Sequence, residues 1–242
     1  MSKVNQRARQ IVADQRAQER RRTITLWTSV GVVLVLFIAG MIGYSRIAGK
    51  DDGTLVTPAS AVDDGTAFAT GTGSVVVDVY EDFMCPICRN FETTTGGTLK
   101  EMAASNKITL RFHPVSILDG ASNGTEFSTR SAAASAAAAE AGKFAEFHDV
   151  LYANQPEENS DGLTDAKMIE LAASVGLTTD TFVSAVNEGT YKTWATKATE
   201  TFSSRGFNGT PTIVVNGTQV VGPENTVPTT ELVTRTIEKA AG

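Results

Sequence analysis

The stretch Val75-Val76-Val77-Asp78-Val79-Tyr80-Glu81-Asp82-Phe83-Met84-Cys85-Pro86-Ile87-Cys88 ends on the only two cysteines in the chain. Its apolar first half predicts a strand over 74–80, and the residues that follow, Arg89-Asn90-Phe91-Glu92, permit a helix. A strand that runs out at Cys-x-x-Cys and enters a helix puts the first sulfur at a helix N-terminus. There the unsatisfied N–H groups and the macrodipole favour negative charge. Thiolate is the reactive form of cysteine, and such a position lowers the thiol pKa from roughly 8.5 to between about 3.5 and 7.5. Pro86 falls in the first helical turn, where its missing N–H costs little. The spacing suits a redox-active dithiol.

Other uses of two cysteines fit less well. A zinc site needs about four ligands, and the chain offers no third cysteine, only His113 and His148 as isolated residues. A structural disulfide across a two-residue loop constrains little of the unfolded chain. A soft-metal carrier using two thiolates stays open, since Met84 adjoins Cys85. So does a binding or scaffold domain with a vestigial motif.

Charge divides the chain. Residues 1–50 carry nine Lys/Arg against Asp14 and Glu19, while residues 51–242 carry twelve Lys/Arg and twenty-five Asp/Glu, giving −6 overall. An acidic globular part argues against a nucleic-acid partner. Residues 23–45 contain no charged side chain, and the run from Leu26 to Tyr44 is almost continuously apolar, with Trp27 and Tyr44 near its ends. A bilayer core needs about 20 such residues, flanked by interfacial aromatics. Seven Lys/Arg precede the run. The positive-inside rule therefore places the N-terminus in the cytoplasm and the rest outside. A secretory signal has a shorter apolar region and a small-x-small cleavage site, so an uncleaved signal anchor is the expectation, with a cleaved peptide as the alternative. In either case the cysteines face a compartment where disulfides persist.

The expected organisation is a basic cytoplasmic tail over 1–22, a transmembrane anchor over 23–45, a flexible linker over 46–72 and one folded domain over 73–242. Within that domain a first helix is expected from Cys85 to about Ser105, kinked at Gly96-Gly97. A second strand follows over Ile108–His113, ended by Pro114. Residues 125–205 read as helical throughout, including the alanine-rich Ser131–Ala141. Thr212–Val215, Asn216-Gly217 and Thr218–Val221 form a hairpin signal, and Thr229–Ala241 is a last amphipathic helix. His113 and His148 read as structural residues, and Asn123, Asn208 and Asn216, each preceding Gly, read as turns.

Strand–CPxC–helix, a helical insertion, and then Gly209-Thr210-Pro211-Thr212-Ile213-Val214-Val215-Asn216-Gly217 resemble the DsbA-like branch of the thioredoxin superfamily, in its membrane-anchored bacterial form, over about residues 73–241. The resemblance implies an α/β thioredoxin-like fold with a helical insertion between the second and third strands. It implies a cis peptide before Pro211, which packs against the CxxC, with the backbone of Thr210 pairing an extended substrate. It implies a protein thiol–disulfide oxidoreductase in which Cys85 is the interchange sulfur and Cys88 the resolving one, together forming the redox-active disulfide, with no cofactor and no metal. Pro86 and Ile87 shape the turn. Some members carry an acidic residue on the first strand, buried beneath the cysteines, and Asp78, Glu81 and Asp82 all stand open for that part. Asp82, in the loop, most resembles a recurring Asp of the family, and it reads equally as a surface turn residue or helix-cap neighbour. The expected partners are reduced or unfolded secreted proteins, a membrane quinone-linked thiol oxidase for reoxidation, and the membrane itself. A monomer is the default. Introduction of disulfides is the expected direction, with a membrane-anchored reductase or isomerase as the alternative.

Overall fold

The computed structural model describes residues 53–242. The tail, the anchor at 23–45 and the first part of the linker lie outside the described residues. Within the described residues no helix is long and apolar enough to cross a membrane.

The fold is built on a five-stranded mixed sheet. Strand β1 is Phe68–Thr70, β2 Val75–Glu81, β3 Ile108–Pro114, β4 Thr212–Val215 and β5 Thr218–Val220. Their spatial order is β1-β3-β2-β4-β5. β2 and β3 are parallel, with Val77 opposite Leu110 and Glu81 opposite Pro114. β1 runs antiparallel to β3, and β4 antiparallel to β2. A parallel pair needs a crossover, which here is helix α1 (Pro86–Phe91), a π-helical turn (Glu92–Gly96) and helix α2 (Gly97–Ala104). The break expected at Gly96-Gly97 is this π turn.

The chain then leaves the sheet for five helices: α3 Phe127–Glu140, α4 Phe144–Ala153, α5 Asp165–Ser174, α6 Asp180–Glu188 and α7 Lys192–Ser204. Helix α3 is their axis. Ser131 to Ala139 are buried without interruption, because small side chains let α4, α6 and α7 approach from several sides. The chain returns through the β4–β5 hairpin, turned at Asn216 (φ 46°) and Gly217 (φ 79°), and ends in helix α8 (Thr230–Ala241). Asn216 also clasps the neighbouring strand, accepting from the Val76 N–H and donating its own N–H to the Val76 carbonyl, both at 2.8 Å.

Two apolar clusters matter for the site. On one face of the sheet, Val75, Val77 and Val79 pack with Leu110, Phe112 and Ile213 against Phe91 and Leu99 of the crossover and Val233 and Ile237 of α8. The other cluster joins Phe83, Met84, Cys85 and Cys88 to Phe127, Phe147, Leu151 and Met168 of the insertion. The cysteines therefore sit on the seam between the sheet and the insertion.

The linker expectation over 46–72 is corrected at its C-terminal end. Residues 68–70 form β1, with Phe68 4 % exposed. Val62 bridges Ala67, and the Trp194 indole donates to the Gly65 carbonyl at 2.6 Å. A three-residue edge strand with a single large apolar residue leaves no periodicity to read. Pro114 is also inside β3 rather than beyond it.

Candidate active site

Strand β2 carries the chain to Glu81, and a tight turn at Asp82–Met84 delivers Cys85. The Cys85 N–H donates to the Asp82 carbonyl at 2.9 Å. Cys85 is the N-cap of α1, in extended geometry, and Pro86 is its first residue. Both sulfurs are free thiols. Ile87 is 54 % exposed and presents an apolar side chain beside the buried cysteines. Gln155, just after α4, donates to the carbonyls of Phe83 (3.0 Å) and Cys85 (2.9 Å). This amide fastens the insertion to the turn that carries Cys85, and it lies in a polar loop that no sequence signal distinguishes.

The Thr210–Pro211 peptide is cis. It meets the cysteines from the far end of the sequence: Cys85 Sγ lies 3.5 Å from the Thr210 carbonyl oxygen. The Thr210 hydroxyl is buried and makes no hydrogen bond among the described residues. Beside this loop a cleft of about 430 Å³ is lined by Asn208, Thr210, Pro211, Gln219 and Val221.

These contacts split the two thiols. Cys85 is lowered to about 6, chiefly because the Cys88 thiol donates to its sulfur; burial opposes this, and the Thr210 hydroxyl and the N–H groups of Cys88 and Ile87 add to it. Those N–H groups belong to the first turn of α1, so the helix N-terminus acts as its position predicts. Cys88 is pushed well above the ordinary thiol value, first by burial and then by the bond to, and the charge on, Cys85. One sulfur is a thiolate near neutral pH and the other holds its proton.

Asp82 lies in the site but not on the surface. It is fully buried; its carboxylate accepts from the Met84 N–H (2.8 Å), the Leu118 N–H (2.9 Å) and the Ser128 hydroxyl (2.7 Å). Burial raises it to about 7 against these three donors, and the charge on Cys85 raises it further. The reading as a surface turn residue is thus excluded. Asp78 is engaged elsewhere: Arg111 binds it through two nitrogens at 2.6 and 2.9 Å, and His113 meets it at 2.9 Å. His113 is the satisfied structural residue that its pattern suggests.

What the sequence reading missed is the pairing of Glu81, one of the three acids it left in competition, with His148. Both are about 1 % exposed, and His148 Nε2 lies 2.8 Å from Glu81 Oε1 in the core beneath the active-site turn. Burial would lower His148, but the Glu81 charge and the bond to Asp149 outweigh it and carry the imidazole up to about 9. Nothing in the pattern around Phe147 separates an ionised core histidine from an ordinary one; only the approach of β2 to α4 does so.

A protein-family model described as Thioredoxin matches residues 70–239. Among curated proteins, the serine/threonine-protein kinase PknE of Mycobacterium tuberculosis is 30% identical over 170 residues, which are 66% of this chain and 30% of that protein. The chain thus corresponds to less than a third of the length of the curated relatives it matches. Among solved structures, oxidised DsbA of Mycobacterium tuberculosis superposes with a TM-score of 0.62 at 29% identity, covering 73% of this chain and 93% of that one. The reduced disulfide oxidoreductase DsbG of the same organism gives 0.60 at 30% identity, covering 77% and 86%. The chain belongs to the thioredoxin family and is a thiol–disulfide oxidoreductase of the DsbA-like kind.

Proposed function

We propose that the protein introduces disulfides into reduced proteins outside the cytoplasm, held at the membrane by residues 23–45 and reoxidised by a quinone-linked membrane thiol oxidase. The observation that carries the direction is the split between the two thiols: a thiolate-stabilised Cys85 favours the dithiol form and so makes the disulfide a strong oxidant.

In this reaction a substrate thiolate attacks Cys85 Sγ of the enzyme disulfide. A substrate–Cys85 bond forms, the Cys85–Cys88 bond breaks, and Cys88 leaves and takes up a proton. A second substrate thiolate then attacks the substrate sulfur. The substrate disulfide forms, the bond to Cys85 breaks, and Cys85 departs as a thiolate, with two electrons now on the enzyme. The donors around Cys85 make it a good leaving group in this second step. When the second substrate thiolate is absent, Cys88 can attack Cys85 and release the stalled substrate. Exposed Ile87 and the cleft beside Pro211 offer apolar and backbone contacts to an extended chain.

The deciding experiment equilibrates the full chain, in detergent, with glutathione and measures the reduction potential, then follows oxidation of a reduced, unfolded protein. A potential between about −120 and −180 mV together with net disulfide formation supports the proposal. A value near about −270 mV makes the protein a reductase instead.

A further inference from the structure

We propose that Glu81, Glu92 and His148 form a buried binding site for a first-row divalent metal ion, of the zinc or manganese kind, beneath the active-site turn.

Each of the three residues offers one ligand atom, and these atoms lie within 4.8 Å of one another. Glu81 and His148 are about 1 % exposed and the Glu92 side chain 7 %. Both oxygens of Glu81, Oε1 of Glu92 and Nε2 of His148 are buried without a directed hydrogen bond. The 2.8 Å approach of Nε2 to Oε1 of Glu81 makes these two an ion pair. Buried polar atoms are nearly always paired; Nε2 of His148 and Oε1 of Glu81 have only each other as an ion pair, and Oε2 of Glu81 and Oε1 of Glu92 have no partner among the described residues, so the cluster has ligand capacity that a shared cation would fill.

The neighbouring groups hold the ligands as a metal site requires. Asp149 lies 3.0 Å from His148 Nδ1, which turns Nε2 inward; a carboxylate behind a metal-binding imidazole is a recurrent arrangement. Lys100 binds Glu92 through Oε2 at 3.0 Å and reaches Asp149 at 2.5 Å. Oε1 of Glu92 is left to the cluster. Binding a metal displaces the proton that His148 otherwise holds; with the imidazole then neutral, the carboxylates of Glu81, Glu92 and Asp149 against one ammonium leave two negative charges, which a divalent ion cancels.

The backbone also serves this placement. Glu92 opens the π-helical turn, a device that often marks functional sites in helices. A Cβ at Gly96 would run into the Glu92 carboxylate where it now lies, so glycine at 96 leaves that position open to it. The rings of Phe83, Phe112, Phe144 and Tyr152 surround His148 at centroid distances of 4.6–5.8 Å and keep the site dry. One imidazole with two carboxylates suits zinc, manganese or iron(II) better than calcium or copper(I). No cysteine takes part, so the site is separate from the thiolate metal carriage weighed for Cys85 and Cys88.

The test uses the full chain in detergent with both cysteines replaced (C85S and C88S), so that no thiolate can bind. It is dialysed against Co²⁺ alone and then against Zn²⁺. One equivalent of Co²⁺ per chain is expected, with visible d–d bands, no sulfur charge-transfer band and displacement by Zn²⁺. Glu92→Gln and His148→Gln should each weaken binding by at least tenfold while circular dichroism stays unchanged. As a readout independent of those two variants, paramagnetically shifted imidazole protons are also sought in a chain in which His113→Gln leaves His148 as the sole histidine. No stoichiometric binding, binding undiminished in both folded variants, or absence of shifted His148 protons would overturn the site.

Discussion

Cys85 Sγ and the carbonyl oxygen of Thr210, 125 residues apart in sequence, lie 3.5 Å apart in the fold. The contact exists because β4 pairs with β2, Ile213 opposite Val79, so the loop before β4 and the loop after β2 emerge on the same edge of the sheet. The Thr210 hydroxyl beside them is buried and free to turn toward a thiolate.

A pH titration of thiolate absorbance should place the Cys85 midpoint near 6. An acid whose folded pKa is lowered adds stability above its unfolded value and loses it as pH falls through the folded one. Against an ordinary thiol at 9, this amounts to about 4 kcal/mol above pH 9 and about 1 kcal/mol at pH 7. The stability gap between reduced protein and a Cys85→Ser variant should therefore widen from pH 6 to 9. A midpoint above 8 would remove the basis for the oxidant reading.

Replacing Thr210→Val keeps the shape and deletes the hydroxyl donor. A hydrogen bond to a charged group is worth about 1.5–3 kcal/mol, so alkylation of Cys85 at pH 6 should slow by about tenfold. Equal rates in the two proteins would show that the hydroxyl does not reach the sulfur.

Asp82 is raised to about 7 from an ordinary 3.8. A buried acid of this kind binds more protons folded than unfolded between those values, so its contribution declines as pH rises from about 4 to 7. Relative to Asp82→Asn, the native chain should gain up to about 4 kcal/mol on acidification from pH 8 to 4. Parallel denaturation curves for the two proteins at every pH would contradict this.

Glu81→Ala leaves an ionised imidazole buried without its partner, a loss of about 3–5 kcal/mol. Since folded His148 keeps its proton to about 9 against an ordinary 6.5, the pair's contribution is complete below about pH 6.5 and drains away as pH rises through 9. Urea midpoints of the native chain and the variant should accordingly draw together above pH 9. A gap that stays constant with pH would mean that the pair is not ionic.

Deleting everything before Gly73 removes β1 together with buried Phe68 and the Gly65 acceptor of Trp194. Burying a Phe is worth about 1.5–3 kcal/mol, and an orphaned indole N–H adds about 1–3 kcal/mol. The shortened chain should show a clearly lower urea midpoint than one that begins at Gly53. An unchanged midpoint would return residues 53–72 to the linker expected over 46–72.

The local code settled a good deal. An apolar run marked β2 and alternation of apolar and polar residues marked β3, Asn216-Gly217 marked the hairpin, Gly96-Gly97 marked the break in the crossover, and Cys85-Pro86-Ile87-Cys88 after a strand marked the dithiol. Each of these is written in residues next to one another, where backbone preference and periodicity act. Tertiary structure decided the rest. Asp82, Glu81 and His148 look in sequence like any turn acid, strand-end acid and helical histidine. They became buried, with perturbed protonation, because α3, α4 and the turn after β2 close over them and exclude water. Desolvation and the pairing of charges depend on what arrives from distant parts of the chain, and no neighbouring residue records that.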